Sequence, residues 1–210
     1  MTDPLRTDIT VLLDRSGSMA SVQSDVEGGF ARFLEDQRKL SGDCGLSLTQ
    51  FDSEGIDEVY VARPVAEAPP LRLKPRGMTP LLDAVGRTIG RAGTRLASMP
   101  EHRRPGRVLF VIITDGRENA SREFSKDRIR ELIERQRQVY QWEFIYLGAN
   151  VDAFAEAGGM GIDAAYAAGF TASPAGVHQA FMVMSRRCRD FRSGRSSALT
   201  EEDREALEQA

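Results

Sequence analysis

Two apolar runs in this chain each stop on an aspartate, and that pairing restricts the fold more than any other feature. Ile9-Thr10-Val11-Leu12-Leu13 ends at Asp14, and Val108-Leu109-Phe110-Val111-Ile112-Ile113 ends at Thr114-Asp115. Short apolar runs with β-branched members, bounded by turn residues, read as buried strands. The second run is apolar without alternation, which suits a strand covered on both faces. A carboxylate has no place inside such a strand. The carboxyl ends of strands in open α/β sheets, however, form the usual binding crevice.

The segments around these runs carry helical periodicity or turn chemistry. Val22, Val26, Phe30, Phe33 and Leu34 mark a helix from Met19 to about Gln37, with Gly28 and Gly29 permitting close approach to a neighbour. Residues 44–51 and 56–65 flank the turn Asp52-Ser53-Glu54-Gly55 and read as an antiparallel hairpin. After a proline-rich connector, Thr79 and Pro80 are placed as N-cap and first residue of a helix reaching about Met99. Ser125 opens the next helix, residues 142–147 form a strand, 151–157 a short helix and 164–170 a weak last strand. Ser173-Pro174 begins the final long helix. The predicted fold class is α/β: a three-layer open Rossmann-like sheet, mostly parallel with one antiparallel edge strand, and helices on both faces. One domain is expected over residues 7–192. Residues 193–210 are read as a polar C-terminal tail that frays or forms a short helix capped by Thr200 and Asp203.

Composition narrows the function classes. A hydrophobic content of 41% over 210 residues supports one substantial core. A net charge of -3 argues against a nucleic-acid binder held mainly by phosphate contacts, although arginines cluster at 103–107 and 186–195. No run approaches the roughly 18 apolar residues of a membrane span. The N-terminus lacks the basic-then-apolar form of a signal peptide. Cys44 and Cys188 lie far apart and cannot build a zinc cluster with only His102 and His178 to help. A reduced, cytoplasmic protein is the expectation.

Asp14, Ser16 and Ser18 offer a carboxylate and two hydroxyls within one turn. Asp115 ends the other central strand, and Thr79 sits at a helix N-terminus entering the same crevice. The set is all oxygen, which suits an octahedral Mg²⁺ site completed by water. The plain alternative is that these polar strand ends cap the helices that follow.

The stretches Asp14-Arg15-Ser16-Gly17-Ser18, Gly77-Met78-Thr79-Pro80-Leu81 and Thr114-Asp115-Gly116 resemble the signature of a von Willebrand factor A (VWA) domain. The likeness is to members with a complete metal-ion-dependent adhesion site (MIDAS), of the small intracellular bacterial type. It implies the VWA fold and a metal held by Asp14, Ser16, Ser18, Thr79 and Asp115. Hydroxyls would bind directly, Thr79 directly or through water, and the aspartates partly through water. It also implies Mg²⁺ or Mn²⁺ as cofactor and a protein partner whose Asp or Glu side chain fills an open coordination position. An AAA+ ATPase or a stress-response protein is the expected kind of partner, with neither membrane nor nucleic acid involved. Arg15, Met19, Met78, Arg117, Glu118 and Asn119 are expected to shape specificity, with Asp52 and Asn150 on the same rim.

No enzyme is expected. No nucleophile–base pair accompanies the oxygen set, both histidines lie outside it, and the glycine-rich phosphate and dinucleotide motifs are missing. The rival classes are a domain that the metal merely stabilises, a Mg²⁺-dependent hydrolase, and a nucleic-acid-associated protein.

Overall fold

The structure, a computed structural model, describes residues 2–210. Its strands are β1 (Asp3–Asp14), β2 (Cys44–Asp52), β3 (Gly55–Pro64), β4 (Pro105–Thr114), β5 (Glu143–Ala149) and β6 (Ala167–Phe170). Its helices are α1 (Gln23–Arg38), α2 (Leu81–Ser98), α3 (Lys126–Tyr140), α4 (Ala153–Gly159), α5 (Pro174–Arg192) and α6 (Glu201–Glu208). The strands form one six-stranded sheet in the order β3-β2-β1-β4-β5-β6. Only the β2–β3 pair is antiparallel, so the hairpin forms the expected antiparallel edge of a parallel sheet.

The central strands are apolar along their length because both faces are covered. Ile9, Val11 and Leu13 of β1, with Leu109, Val111 and Ile113 of β4, join the core under α1 and α5. Leu12, Phe110 and Ile112 point the other way, into the core under α2 and α3. Alternation therefore exists in space but not in polarity. Phe30, Phe33 and Phe181 interlock where α1 crosses α5, and burying each contributes roughly 1.5–3 kcal/mol. The two helices approach closely because Gly29 has no side chain: a Cβ there would lie 2.4 Å from Phe181 Cδ2.

Several boundaries differ from expectation. β1 starts at Asp3, not at residue 9, because the residues before the apolar run also extend along β4, with Asp3 opposite Pro105. The strand even contains a buried carboxylate, Asp8, which Arg95 of α2 grips through two hydrogen bonds of 2.8 and 2.9 Å. Residues 17–22 form a 3₁₀ turn before α1, and the last strand is shortened to 167–170 by another. Thr79 does not cap α2: Pro80 occupies the cap position, with no side-chain cap bond of its own. Residues 193–210 do not fray. Thr200 and Asp203 form a capping box on α6, and Leu199 and Leu207 enter the core. Asp203 accepts hydrogen bonds of 3.0 and 2.7 Å from Arg186 of α5 and lies 3.0 Å from Arg187 Nε.

The arginine clusters are also largely spoken for. Arg192 donates to the Gln37 carbonyl at 2.7 Å and to carbonyls of residues 40–42, closing the end of α1. Arg104 and Arg107 likewise donate to backbone carbonyls. These guanidiniums hold the chain together through its backbone carbonyls.

Candidate functional site

β1 and β4 are neighbours at the centre of the sheet, and β1 is flanked by β2 on its other side. Chain order reverses there, and the crevice lies beyond the carboxyl ends of the strands. Asp14 is the last residue of β1, and Asp115 directly follows β4. The fold therefore brings together two carboxylates 101 residues apart in sequence.

Asp14 is fully buried. Its Oδ1 accepts from the Ser16 backbone N–H at 2.7 Å, and its Oδ2 from the Thr114 hydroxyl at 2.6 Å. The Ser16 and Ser18 hydroxyls stand 3.1 Å apart, and Ser18 donates to Asp115 Oδ1 at 2.7 Å. Thr79 is buried beside them. Its Oγ1 lies 3.2 Å, and Ser18 Oγ 3.9 Å, from the point where a Cβ on Gly116 would sit. That position is glycine in this chain, which keeps the space between the two hydroxyls clear. All five expected residues thus meet at one end of the sheet, with Ser18 exposed and Asp14, Ser16, Thr79 and Asp115 buried.

Burial pushes the Asp14 carboxyl up to about 6, against hydrogen bonds from Thr114 and Ser16 that pull it down, and the Asp115 charge adds to the rise. Burial likewise raises Asp115, opposed by the Ser18 hydrogen bond. Two carboxylates held in a poorly solvated crevice are short of positive charge. Among the described residues no group of three or more His, Cys, Asp or Glu side chains is placed to hold a metal. The set here has two carboxylates, and hydroxyls supply its other oxygens. Its donor chemistry fits a hard divalent cation.

The surroundings depart from expectation. Arg15 does not face the crevice: it is buried and donates to Asp52 at 2.5 Å and Asp57 at 2.6 Å. Asp52 also accepts from Arg76 at 2.9 Å and from the Glu54 and Gly55 N–H groups, so it clamps the β2–β3 turn to the connector. Met19 is core, whereas Met78 is half exposed. Glu118 turns inward to accept from Leu82, Ala120 and Ser121 N–H groups, and Asn119 Oδ1 accepts from Thr79 N–H at 2.8 Å. Arg117 stays exposed beside Asp115. Asn150 is exposed just past β5, in the left-handed region at φ 55°.

Two contributors were missed by sequence reasoning. Thr114 is one, although its place next to Asp115 at the strand end was a visible signal. Asp83 is the other: it accepts from the Arg122, Glu123 and Phe124 N–H groups at 2.9 Å and ties the loop after β4 to α2. An Asp in a first helical turn is common enough to carry no such signal.

The sequence matches no protein-family model and no curated protein. Solved structures do share the architecture. A von Willebrand factor type A protein from Catenulispora acidiphila superposes with a TM-score of 0.58 at 14% identity, over 88% of this chain and 43% of its own. The chain has a VWA-like fold. Proximal thread matrix protein 1 from the mussel byssus, in a structure with a zinc-occupied MIDAS motif, gives a TM-score of 0.57 at 13% identity over 88% of this chain and 46% of its own. The vWF domain of the type V pili tip protein Mfa5 from Porphyromonas gingivalis gives 0.58 at 11% identity over 95% of this chain and 99% of its own. The chain spans less than half the length of the first two proteins. None of these neighbours is described as an enzyme.

The neighbours correct the cytoplasmic expectation. A byssus matrix protein and a pilus-tip protein work outside the cell, so this fold carries no cytoplasmic address. The free thiols carried none either. Cys44 and Cys188 are both buried, and burial pushes the Cys44 thiol up to about 11 and the Cys188 thiol higher still. Packing alone is enough to keep such thiols unreactive. Among the described residues no helix is long and apolar enough to cross a membrane.

Proposed function

We propose that this VWA-like domain is a divalent-metal-dependent protein-binding module. Ser16, Ser18 and Thr79 would hold Mg²⁺ or Mn²⁺ through their hydroxyls, with Asp14 and Asp115 balancing its charge. A bound ion supplies an electrophilic centre that an Asp or Glu side chain of a protein partner can join. The observation that carries this proposal is the chain of contacts from Ser16 through Ser18 to Asp115, next to the Thr79 hydroxyl. The zinc-occupied MIDAS motif of the mussel protein supports it. The residues of this chain do the rest. Thr114 and the Ser16 N–H aim the Asp14 carboxylate, and Gly116 leaves the approach open. Exposed Met78 and Arg117 offer the partner one apolar and one cationic contact.

Calorimetric titration of Mg²⁺ and of Mn²⁺ into chelator-stripped protein tests the proposal. Saturable one-to-one binding that Asp14→Ala abolishes is the expected result. A wild-type protein that binds neither ion would sink it. If the ion binds and raises the melting temperature, but no partner is captured that chelator then releases, the metal is structural only.

A further inference from the structure

We propose that Asn119 is a positioning residue for Thr79, gripping the Thr79 peptide so that its uncommitted hydroxyl is held at the metal crevice. This deepens, and rests on, the metal-binding function proposed above.

A threonine that precedes a proline at the start of a helix ordinarily spends its hydroxyl on an N–H of the first turn. In this chain that duty has been moved to other groups. The Leu82 N–H donates to Glu118 Oε2 at 2.9 Å, and the Asp83 N–H donates to Ser121 Oγ at 3.0 Å. Both acceptors lie in the loop that follows Asp115. Relieved of capping, the Thr79 hydroxyl makes no hydrogen bond among the described residues, unlike those of Ser16 and Ser18, which hold each other and Asp115. Side-chain contacts therefore fix the serines, whereas Thr79 is fixed only through its backbone.

That backbone is held from both sides. On the β1 side, Gly17 N–H donates to the Gly77 carbonyl at 3.1 Å, and Arg76 N–H to the Arg15 carbonyl at 2.9 Å. On the β4 side, Asn119 makes a reciprocal pair with Thr79: its Oδ1 accepts from Thr79 N–H at 2.8 Å, and its own N–H donates to the Thr79 carbonyl at 3.1 Å. The side-chain half of this pair can be deleted without freeing the loop. Asp83 independently holds the N–H groups of residues 122–124 at 2.9 Å. Removing the Asn119 amide should loosen Thr79 and little else.

The experiment is Mg²⁺ titration of four full-length proteins, with melting temperature in chelator measured in parallel. Groups that orient metal ligands typically account for roughly 10- to 100-fold in affinity, so Asn119→Ala should weaken Mg²⁺ binding by that factor with little change in metal-free melting. Asn119→Asp keeps the acceptor oxygen and should restore at least wild-type affinity. Thr200→Ala loses the α6 cap, away from the crevice, and should lower the metal-free melting temperature while changing Mg²⁺ affinity less than about two-fold. Wild-type binding matched by Asn119→Ala would overturn the positioning role and leave the metal site standing. Asn119→Ala and Thr200→Ala losing affinity alike, each in step with stability, would overturn it too. No binding by the wild type would remove the metal site and the positioning role together.

Discussion

Asp14 is where the site works against the fold. Its carboxyl ionises near the usual value in the unfolded chain but at about 6 in the folded one. For an acid raised by folding, the native state binds the extra proton. The metal-free protein is therefore penalised as pH climbs from about 4 to above 6, by on the order of 3 kcal/mol at neutral pH. Asp14→Asn should raise the melting temperature of chelator-treated protein at pH 7, bring little gain near pH 4, and abolish the Mg²⁺ response. Its side chain can still accept from Ser16 N–H and can donate to Thr114 Oγ. A variant that melts lower than wild type at pH 7 would mean that the carboxylate itself holds the strand ends together. The sequence already placed this residue, because an aspartate closing an apolar run is visible without a structure. It did not reveal that Thr79 is free of the helix cap. That depends on Glu118 and Ser121, 36 and 38 residues beyond the N–H groups they accept from.

At the scale of elements, the adjacent glycines of α1 separate propensity from packing. Gly28 is exposed, and a Cβ there meets nothing within 4 Å, whereas one on Gly29 would strike the Phe181 ring of α5. Gly28→Ala should stabilise by roughly 0.5–1 kcal/mol, the ordinary helical preference. Gly29→Ala should destabilise by about 1–3 kcal/mol through overpacking. Equal effects of the two in chemical denaturation would contradict the close α1–α5 contact. Strands covered on both faces were legible because burial leaves an unbroken apolar run. The start of β1 was not, since residues 3–6 carry no apolar run and join the strand through pairing with β4. Nor was the docking of α6. A polar helix of eight residues gives no sign that Asp203 will be buried against Arg186 and Arg187.

For the molecule as a whole, the proposed metal binding would be linked to stability. An ion that binds the native state alone adds about 2.7 kcal/mol at one hundred times its dissociation constant, or roughly 5–10 °C in a domain of this size. Melting curves at rising Mg²⁺ should show that shift, and chelator should reverse it. An unmoved curve would mean that the crevice binds no ion in the native state. The contact between Thr114 and Asp14 spans 100 residues, and it has a consequence in time as well as in space. β1 emerges first during synthesis, but its partner β4 follows only after the β2–β3 hairpin and α2 have been made. Until Asp115 has left the ribosome, the chain holds the two serines and Thr79 without the strand that aligns them. Acquisition of metal would thus mark the moment when the middle of the sheet closes, and a nascent chain halted before β4 would be blind to Mg²⁺ however well its earlier elements had formed.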